Sequence, residues 1–171
     1  MAKHDMSMRV QCTVPSPWWY SLVAVLPVVL ASGLGQLATV PNLVPWYAAL
    51  NKPGFNPPNW LFGPIWTGLY ALMAYAVWRI LHVMRQKSEK ATGLILFFAQ
   101  LAFNALWPWL FFALQSPVAG LWEIVPQCLL ILVTIGWFYR LDLLAALCLV
   151  PLAVWVGFAT VLNFALWRLN P

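Results

Sequence analysis

The stretch WWYSLVAVLPVVLASGLGQLATV, residues 18–40, decides the fold. It is longer than the roughly 20 apolar residues that a helix needs to cross the hydrocarbon core of a bilayer. Lys3 and Arg9 precede it as they would a signal peptide. The run exceeds a typical signal core, however, and has no clear small-x-small cleavage site, so a retained span is expected. Four further apolar runs follow. The predicted helices cover about Trp19–Thr39, Pro57–Leu81, Gly93–Leu114 and Ala119–Phe138, and a fifth runs from the turn Arg140-Leu141-Asp142 to near Trp167. The expected fold is an all-α integral membrane protein: an up-and-down bundle of five transmembrane helices with a structured first loop at about 41–56. Residues 1–17 are expected to form a mobile tail in which Met6 or Met8 competes with Met1 as the start, and 18–171 a single transmembrane domain.

Composition agrees. Hydrophobic residues make up 63% of the 171-residue chain and charged residues 8%, far from the balance of a water-soluble domain. The net charge of +5 is not a nucleic-acid signature, because the cations are scattered at the ends of apolar runs, where they sort topology and meet lipid headgroups. Cys12, Cys128 and Cys148 form no CxxC pair, which argues against a disulfide framework or a metal site. With the N-terminus inside, Lys3, Arg9, Arg79, Arg85, Lys87, Lys90 and Arg140 share one side, and Lys52 and Arg168 the other. That distribution favours N-inside, C-outside.

Catalytic chemistry has little to work with. His4 and His82 lie in the tail and at a helix end, and no Ser-His-Asp or Cys-His arrangement emerges. Asp5, Glu89 and Asp142 fall in tails or links, and Glu123 is expected at the interface. An ion-coupled transporter would carry ionisable groups within its spans.

Tryptophan is what the chain has in excess, with 12 residues. Trp18, Trp19, Trp78, Trp122, Trp137 and Trp167 sit near run ends, as an interfacial belt requires. Trp66, Trp107 and Trp155 lie well inside their runs, and Trp46 and Trp60 flank the first loop. An indole offers a wide apolar face and one N–H donor, which suits a planar conjugated ligand. Prolines 27, 64, 108, 126 and 151 punctuate the five runs. Membrane helices tolerate them, and they either bow the helices around a cavity or reflect ordinary membrane composition. Among the amides within the runs, Gln100 and Asn104 share a helix face with Trp107. For Asn104, interhelical bonding and ligand anchoring stand level; for Gln100 and Asn163, interhelical bonding is the commoner role.

The first loop, with Pro45, Pro53, Pro57 and Pro58, is stiff. A stiff loop loses less entropy on ordering over a ligand, so a lid is favoured over a plain connector. Asn56 is the expected N-cap of the second helix, with Pro57 at its first position. In the first run, Ala31-x3-Gly35 permits close helix approach, between copies or within one bundle.

The ordered blocks Trp46-Tyr47, Leu50-x-Lys52-Pro53-x3-Pro57-Pro58-x-Trp60, Phe62-Gly63-Pro64-Ile65-Trp66-Thr67-x-Leu69-Tyr70, Gln100-Leu101-Ala102-x-Asn104-x2-Trp107 and Pro151-x3-Trp155-x2-Phe158-Ala159-x2-Leu162-Asn163 resemble the translocator protein family. Its members are also called tryptophan-rich sensory proteins or peripheral-type benzodiazepine receptors. The resemblance covers about Pro27 to Asn170 and suggests a bacterial member in the cell membrane.

It implies a homodimeric five-helix bundle that binds porphyrins such as protoporphyrin IX or haem as ligands and needs no cofactor or metal. Membrane lipid, and sterol in some lineages, are further partners. The matching cavity residues are Trp46, Tyr47, Trp60, Trp66, Asn104, Trp107, Trp155, Ala159 and Leu162. The implied function is a membrane receptor or sensor that regulates tetrapyrrole levels or transport. Light-dependent porphyrin breakdown, with Trp66 and Trp155 implicated, is the enzymatic alternative, and sterol or lipid translocation a third. Phe164 stands where the family's sterol motif has tyrosine; such motifs are weak even when complete, and tetrapyrrole is favoured.

Overall fold

A computed structural model describes residues 18–170. The expected tail at 1–17 and the choice of start methionine lie outside the described residues. The chain forms five helices, each long and apolar enough to cross a membrane: α1 (Trp19–Asn42), α2 (Asn59–His82), α3 (Lys87–Pro108), α4 (Pro117–Leu141) and α5 (Leu143–Leu169). It is an integral membrane protein of the multi-pass, all-α class. α1 packs on α2 and α3, α3 on α4, α4 on α5, and α5 returns to α2. The helices therefore close a ring in the order α1–α2–α5–α4–α3.

Several helix ends differ from the sequence expectation, each for a local reason. Asn56 does not cap α2. Its Oδ1 accepts from the Tyr47 hydroxyl at 2.9 Å and its Nδ2 donates to the Pro57 carbonyl at 3.0 Å. Pro57 is itself followed by a proline, which bars it from helical geometry, so Pro58 is the extended residue before the helix (φ −63°, ψ 143°). α3 starts at Lys87 rather than Gly93. Glu89 in its first turn favours that earlier start by opposing the positive end of the helix. α4 begins at Pro117, where Ser116 Oγ accepts from Ala119 N at 3.2 Å and proline fills the first helical position. α5 begins immediately after α4, with Asp142 Oδ1 accepting from Ala145 N at 2.7 Å.

Two wider turns extend α1 and α3. Leu43–Tyr47 continues α1 across a break at Val44 (φ −133°, ψ 124°), which precedes Pro45 and so avoids the helical region. Trp109–Ala113 continues α3 beyond Pro108, with Leu114 N donating to Trp109 O at 2.8 Å, a bond five residues back. Gln115, at φ 52°, ends it in the left-handed region. The widened turn buries consecutive rings, Phe111 and Phe112.

The interior divides along the bundle axis. Toward the end formed by the α2–α3 and α4–α5 links, side chains fill the ring: Met73, Val77 and Ile80 of α2, Phe97 and Leu101 of α3, Ile131 and Phe138 of α4, Leu149 and Leu152 of α5. Close packing here depends on Gly93, where a Cβ would meet Trp137 Cδ1 at 3.1 Å and Leu141 Cδ1 at 3.3 Å. Arg79 ties α2 to the α4–α5 turn through Nη2 to Asp142 Oδ2 at 2.7 Å and Nε to Oδ1 at 2.9 Å. The Ala31/Gly35 face turns inward, with the Gly35 Cβ position 3.4 Å from Pro108 of α3. Those small residues therefore serve packing within one bundle.

Glu123 corrects another expectation. It is 5% exposed rather than interfacial, and neither carboxyl oxygen has a hydrogen-bond partner among the described residues. Its place on α4 explains this. Glu123 lies five full turns from Leu141, on the stripe that packs against α3 at Gly93.

Candidate functional site: an aromatic cavity in the hollow half of the bundle

The other half of the ring, toward the first loop, is not filled. A cavity of about 390 Å³ lies there, within the roughly 300–1,000 Å³ range of small-molecule sites. All five helices contribute, through the segments 32–43, 59–70, 104–112, 124–127 and 155–166. Its wall carries eight aromatic rings: Tyr47, Phe62, Trp66, Tyr70, Trp107, Phe111, Phe112 and Trp155. They brace one another. Trp107 stacks on Phe111 with centroids 4.8 Å apart, Trp66 leans on Tyr70 at 5.4 Å, and Phe62 meets Trp155 edge-on at 5.7 Å. Rings held this way present fixed apolar faces to the void.

Polar groups in the wall are few. The Tyr70 hydroxyl donates to Asn104 Oδ1 at 2.9 Å, joining α2 to α3. That bond fixes the Asn104 amide and leaves its NH2 group as a donor. Trp107 Nε1 is buried without an acceptor among the described residues. Gln127 and Asn163 also reach the wall. With its amide turned so that both atoms find partners, Asn163 bridges to α4, donating to Pro117 O at 3.0 Å and accepting from Leu121 N at 2.9 Å. Gly120 permits that approach, since a Cβ there would lie 3.0 Å from the Asn163 amide and 3.1 Å from Phe111. Asn163 thus has the interhelical role expected of it. Gln100 lies outside the wall, donating to Met73 Sδ at 3.8 Å.

Seven of the nine residues singled out by sequence line this one cavity: Tyr47, Trp66, Asn104, Trp107, Trp155, Ala159 and Leu162. Trp46 stands behind the wall, its ring 5.4 Å from Phe111 and 6.2 Å from Phe112. Trp60, in the first turn of α2, is 71% exposed and faces away. Phe164 is exposed on the outer surface of α5, while Leu162, two residues earlier, faces inward. Sequence reading passed over Ser32, Gln36, Thr39, Gly63, Thr67, Tyr70 and Phe111 as wall residues. The four-residue spacing of Ser32–Gln36 and Gly63–Thr67 was the available signal, since small and polar residues at one helical face break an apolar run.

The loop joining α1 to α2 lies at this end of the bundle. Asn170 holds it to α5 from both sides: its Oδ1 accepts from Asn51 N at 2.9 Å and its Nδ2 donates to Asn51 O at 3.0 Å. Lys52 Nζ sits 4.8 Å above the Tyr47 ring and donates to Ala48 O at 3.1 Å. Phe55 contacts Phe158 of α5 at 6.3 Å between centroids.

A five-helix membrane bundle with a tryptophan-walled cavity at one end defines the class. The profile of the TspO/MBR family matches residues 23–168. The chain is 42% identical over 143 residues to the tryptophan-rich protein TspO of Chlorobaculum tepidum, covering 83% of this chain and 90% of that protein. It is 43% identical over 153 residues to the protein of the same name from Archaeoglobus fulgidus, covering 87% and 96%. It is also 38% identical over 132 residues to the human translocator protein, covering 73% and 75%. The chain belongs to the TspO/MBR family.

Proposed function

We propose that this protein is a membrane receptor that binds a porphyrin, protoporphyrin IX or haem, in the aromatic cavity, and so senses tetrapyrrole or passes it on. The observation that carries this reading is the wall itself: eight rings around one void, with the locked Asn104 amide among them. A flat conjugated macrocycle gains apolar contact on both faces from such a wall. Its carbonyl or carboxyl oxygens accept from Asn104 Nδ2, whose amide the Tyr70 hydroxyl holds in place. Tyr47, Trp66, Trp155, Ala159 and Leu162 supply the remaining contact surface. Trp46 supports the wall from behind; the helix that α1 begins runs on through 41–49, so the loop that serves as lid is 50–58 rather than 41–56.

Orientation follows from charge. Arg79, Arg85, Lys87, Lys90 and Arg140 cluster at the filled end, whereas Lys52 and Arg168 lie at the cavity end. The positive-inside rule then puts the filled end in the cytoplasm and the cavity toward the outer face of a bacterial cell membrane.

The test is a dark titration of the purified protein with protoporphyrin IX, followed by tryptophan quenching, beside the Trp66→Phe, Asn104→Ala double variant. Saturation near one ligand per chain, weakened in the variant, is the expected result. Non-saturating quenching of equal size in both proteins would refute the site.

A further inference from the structure

Some of the cavity wall is also the outer surface of the bundle. Gln36 and Val40 on α1, and Asn59, Gly63 and Thr67 on α2, line the cavity and yet are exposed. With half-buried Ser32 they form two rows at four-residue spacing, 32–36–40 and 59–63–67. Residues four apart share a helix face, and α1 and α2 are antiparallel. The rows therefore flank a slot with Gln36 and Gly63 at its middle. A Cβ at Gly63 would meet nothing within 4 Å among the described residues, so the gap is open there. No hydrogen bond joins α1 to α2 among the described residues. The loop end, in contrast, is pinned by the Asn51–Asn170 pair and by Tyr47 to Asn56.

The slot opens where lipid lies, and its lip is polar. Thr39 and Thr67 return their hydroxyls to the Gly35 and Gly63 carbonyls at 2.8 and 2.9 Å, so they are satisfied in hydrocarbon. Gln36 is not. Its Nε2 has a 3.3 Å bond to Ser32 Oγ, and its carbonyl oxygen has no partner among the described residues. An amide facing hydrocarbon in that state is costly.

We infer that the slot between α1 and α2 is a lateral doorway through which a ligand dissolved in the bilayer reaches the cavity, with Gln36 hydrogen-bonding its carbonyl or carboxyl group at the lip. The matching ligand class is a flat, largely apolar molecule with a polar edge, which partitions into membrane before it binds. This inference rests on the cavity being the binding site.

The test narrows the doorway without touching the loop. Gly63→Ala, Gly63→Leu and Gly63→Phe are reconstituted in phosphatidylcholine vesicles with protoporphyrin IX already in the lipid. Binding and release are followed by stopped-flow tryptophan quenching. Both rates are expected to fall with side-chain size, by about tenfold or more at Phe, and by similar factors, as for a gated path. Gln36→Leu, which keeps the width, is expected to slow association several-fold. Association rates unchanged across the Gly63 series would overturn the doorway, as would a loss of affinity arising from faster release alone. Failure of the unmodified protein to bind saturably would instead refute the cavity reading.

Discussion

Tyr70 on α2 and Asn104 on α3 meet in the cavity wall, hydroxyl to amide oxygen, at 2.9 Å. The contact does two things at once. It joins two helices that otherwise touch little, and it decides which end of the Asn104 amide is available to a guest. Removing the amide with Asn104→Ala is expected to weaken protoporphyrin IX binding by about 5–10-fold, the worth of one hydrogen bond of roughly 1–1.5 kcal/mol. Tyr70→Phe leaves the amide but unlocks it, and is expected to cost less. Equilibrium titrations of the two variants check that order; equal affinities in both and in the parent would sink the proposed role of Asn104.

Asn170 makes two hydrogen bonds to the Asn51 backbone, holding the first loop to the end of α5. Each is worth about 0.5–1.5 kcal/mol, so Asn170→Ala should free the loop while the helices stay intact. Hydrogen–deuterium exchange is expected to rise at residues 50–56 and to stay unchanged in α4. A uniform rise across the protein would mean that the pair supports the whole bundle rather than the loop.

Asp142 links charge to stability at the opposite end. The hydrogen bonds from Arg79 hold its carboxyl below the ordinary value of 3.8. A depressed carboxyl stabilises the fold fully above its unfolded value and loses that contribution as pH falls through the lower, folded value. Thermal stability should therefore decline below about pH 4 in part through this group. Asp142→Asn keeps a cap but not the ion pair, so it should be less stable at neutral pH and less sensitive to acid. Asp142→Ala also loses the cap, a further cost of about 1 kcal/mol. Melting curves from pH 3 to 7 in detergent separate the two effects.

Gly120 and Gly63 predict opposite responses to one methyl group. At Gly120 a Cβ would crowd Asn163 and Phe111 at 3.0–3.1 Å, whereas at Gly63 none of the described residues lies within 4 Å. Gly120→Ala is expected to destabilise by about 1–3 kcal/mol through overpacking. Gly63→Ala is expected to stabilise by up to about 1 kcal/mol through helix propensity. Melting temperatures that move in the same direction would contradict this account of the α4–α5 contact.

Glu123 is buried, and neither of its oxygens has a partner among the described residues. Unmet polar atoms in the interior are costly, and methionine fills a similar volume without them. Glu123→Met is expected to raise the melting temperature. A fall would mean that the carboxyl has a partner in the membrane-embedded protein and is retained for it.

The helices were legible because they obey one-dimensional rules. Residues 18–40 and the four later runs are long enough and apolar enough to span hydrocarbon, and no nearby residue competes with that. Their ends were less legible where a distant group intervened. Asn56 had the chemistry of a cap, but Tyr47 claims its oxygen from nine residues away. Glu123 sits six residues beyond the start of α4, a position that suits the interface until the facing helix is known.

The sequence by itself determined the membrane class, the number of spans, the charge asymmetry of the two ends and a set of interior tryptophans. Each depends on counts and periods along the chain. Only the tertiary structure decided that Trp66, Asn104, Trp107 and Trp155 face one void while Trp60 faces outward. It also decided that Ala31 and Gly35 are spent inside the bundle, and that Gln36 and Gly63 line the cavity while staying exposed. The physical reason is rotation. A hydrophobic run in lipid is apolar all round, so its composition carries no mark of which face turns inward. That choice is made by the order in which five helices close their ring and by the glycines that let particular pairs approach.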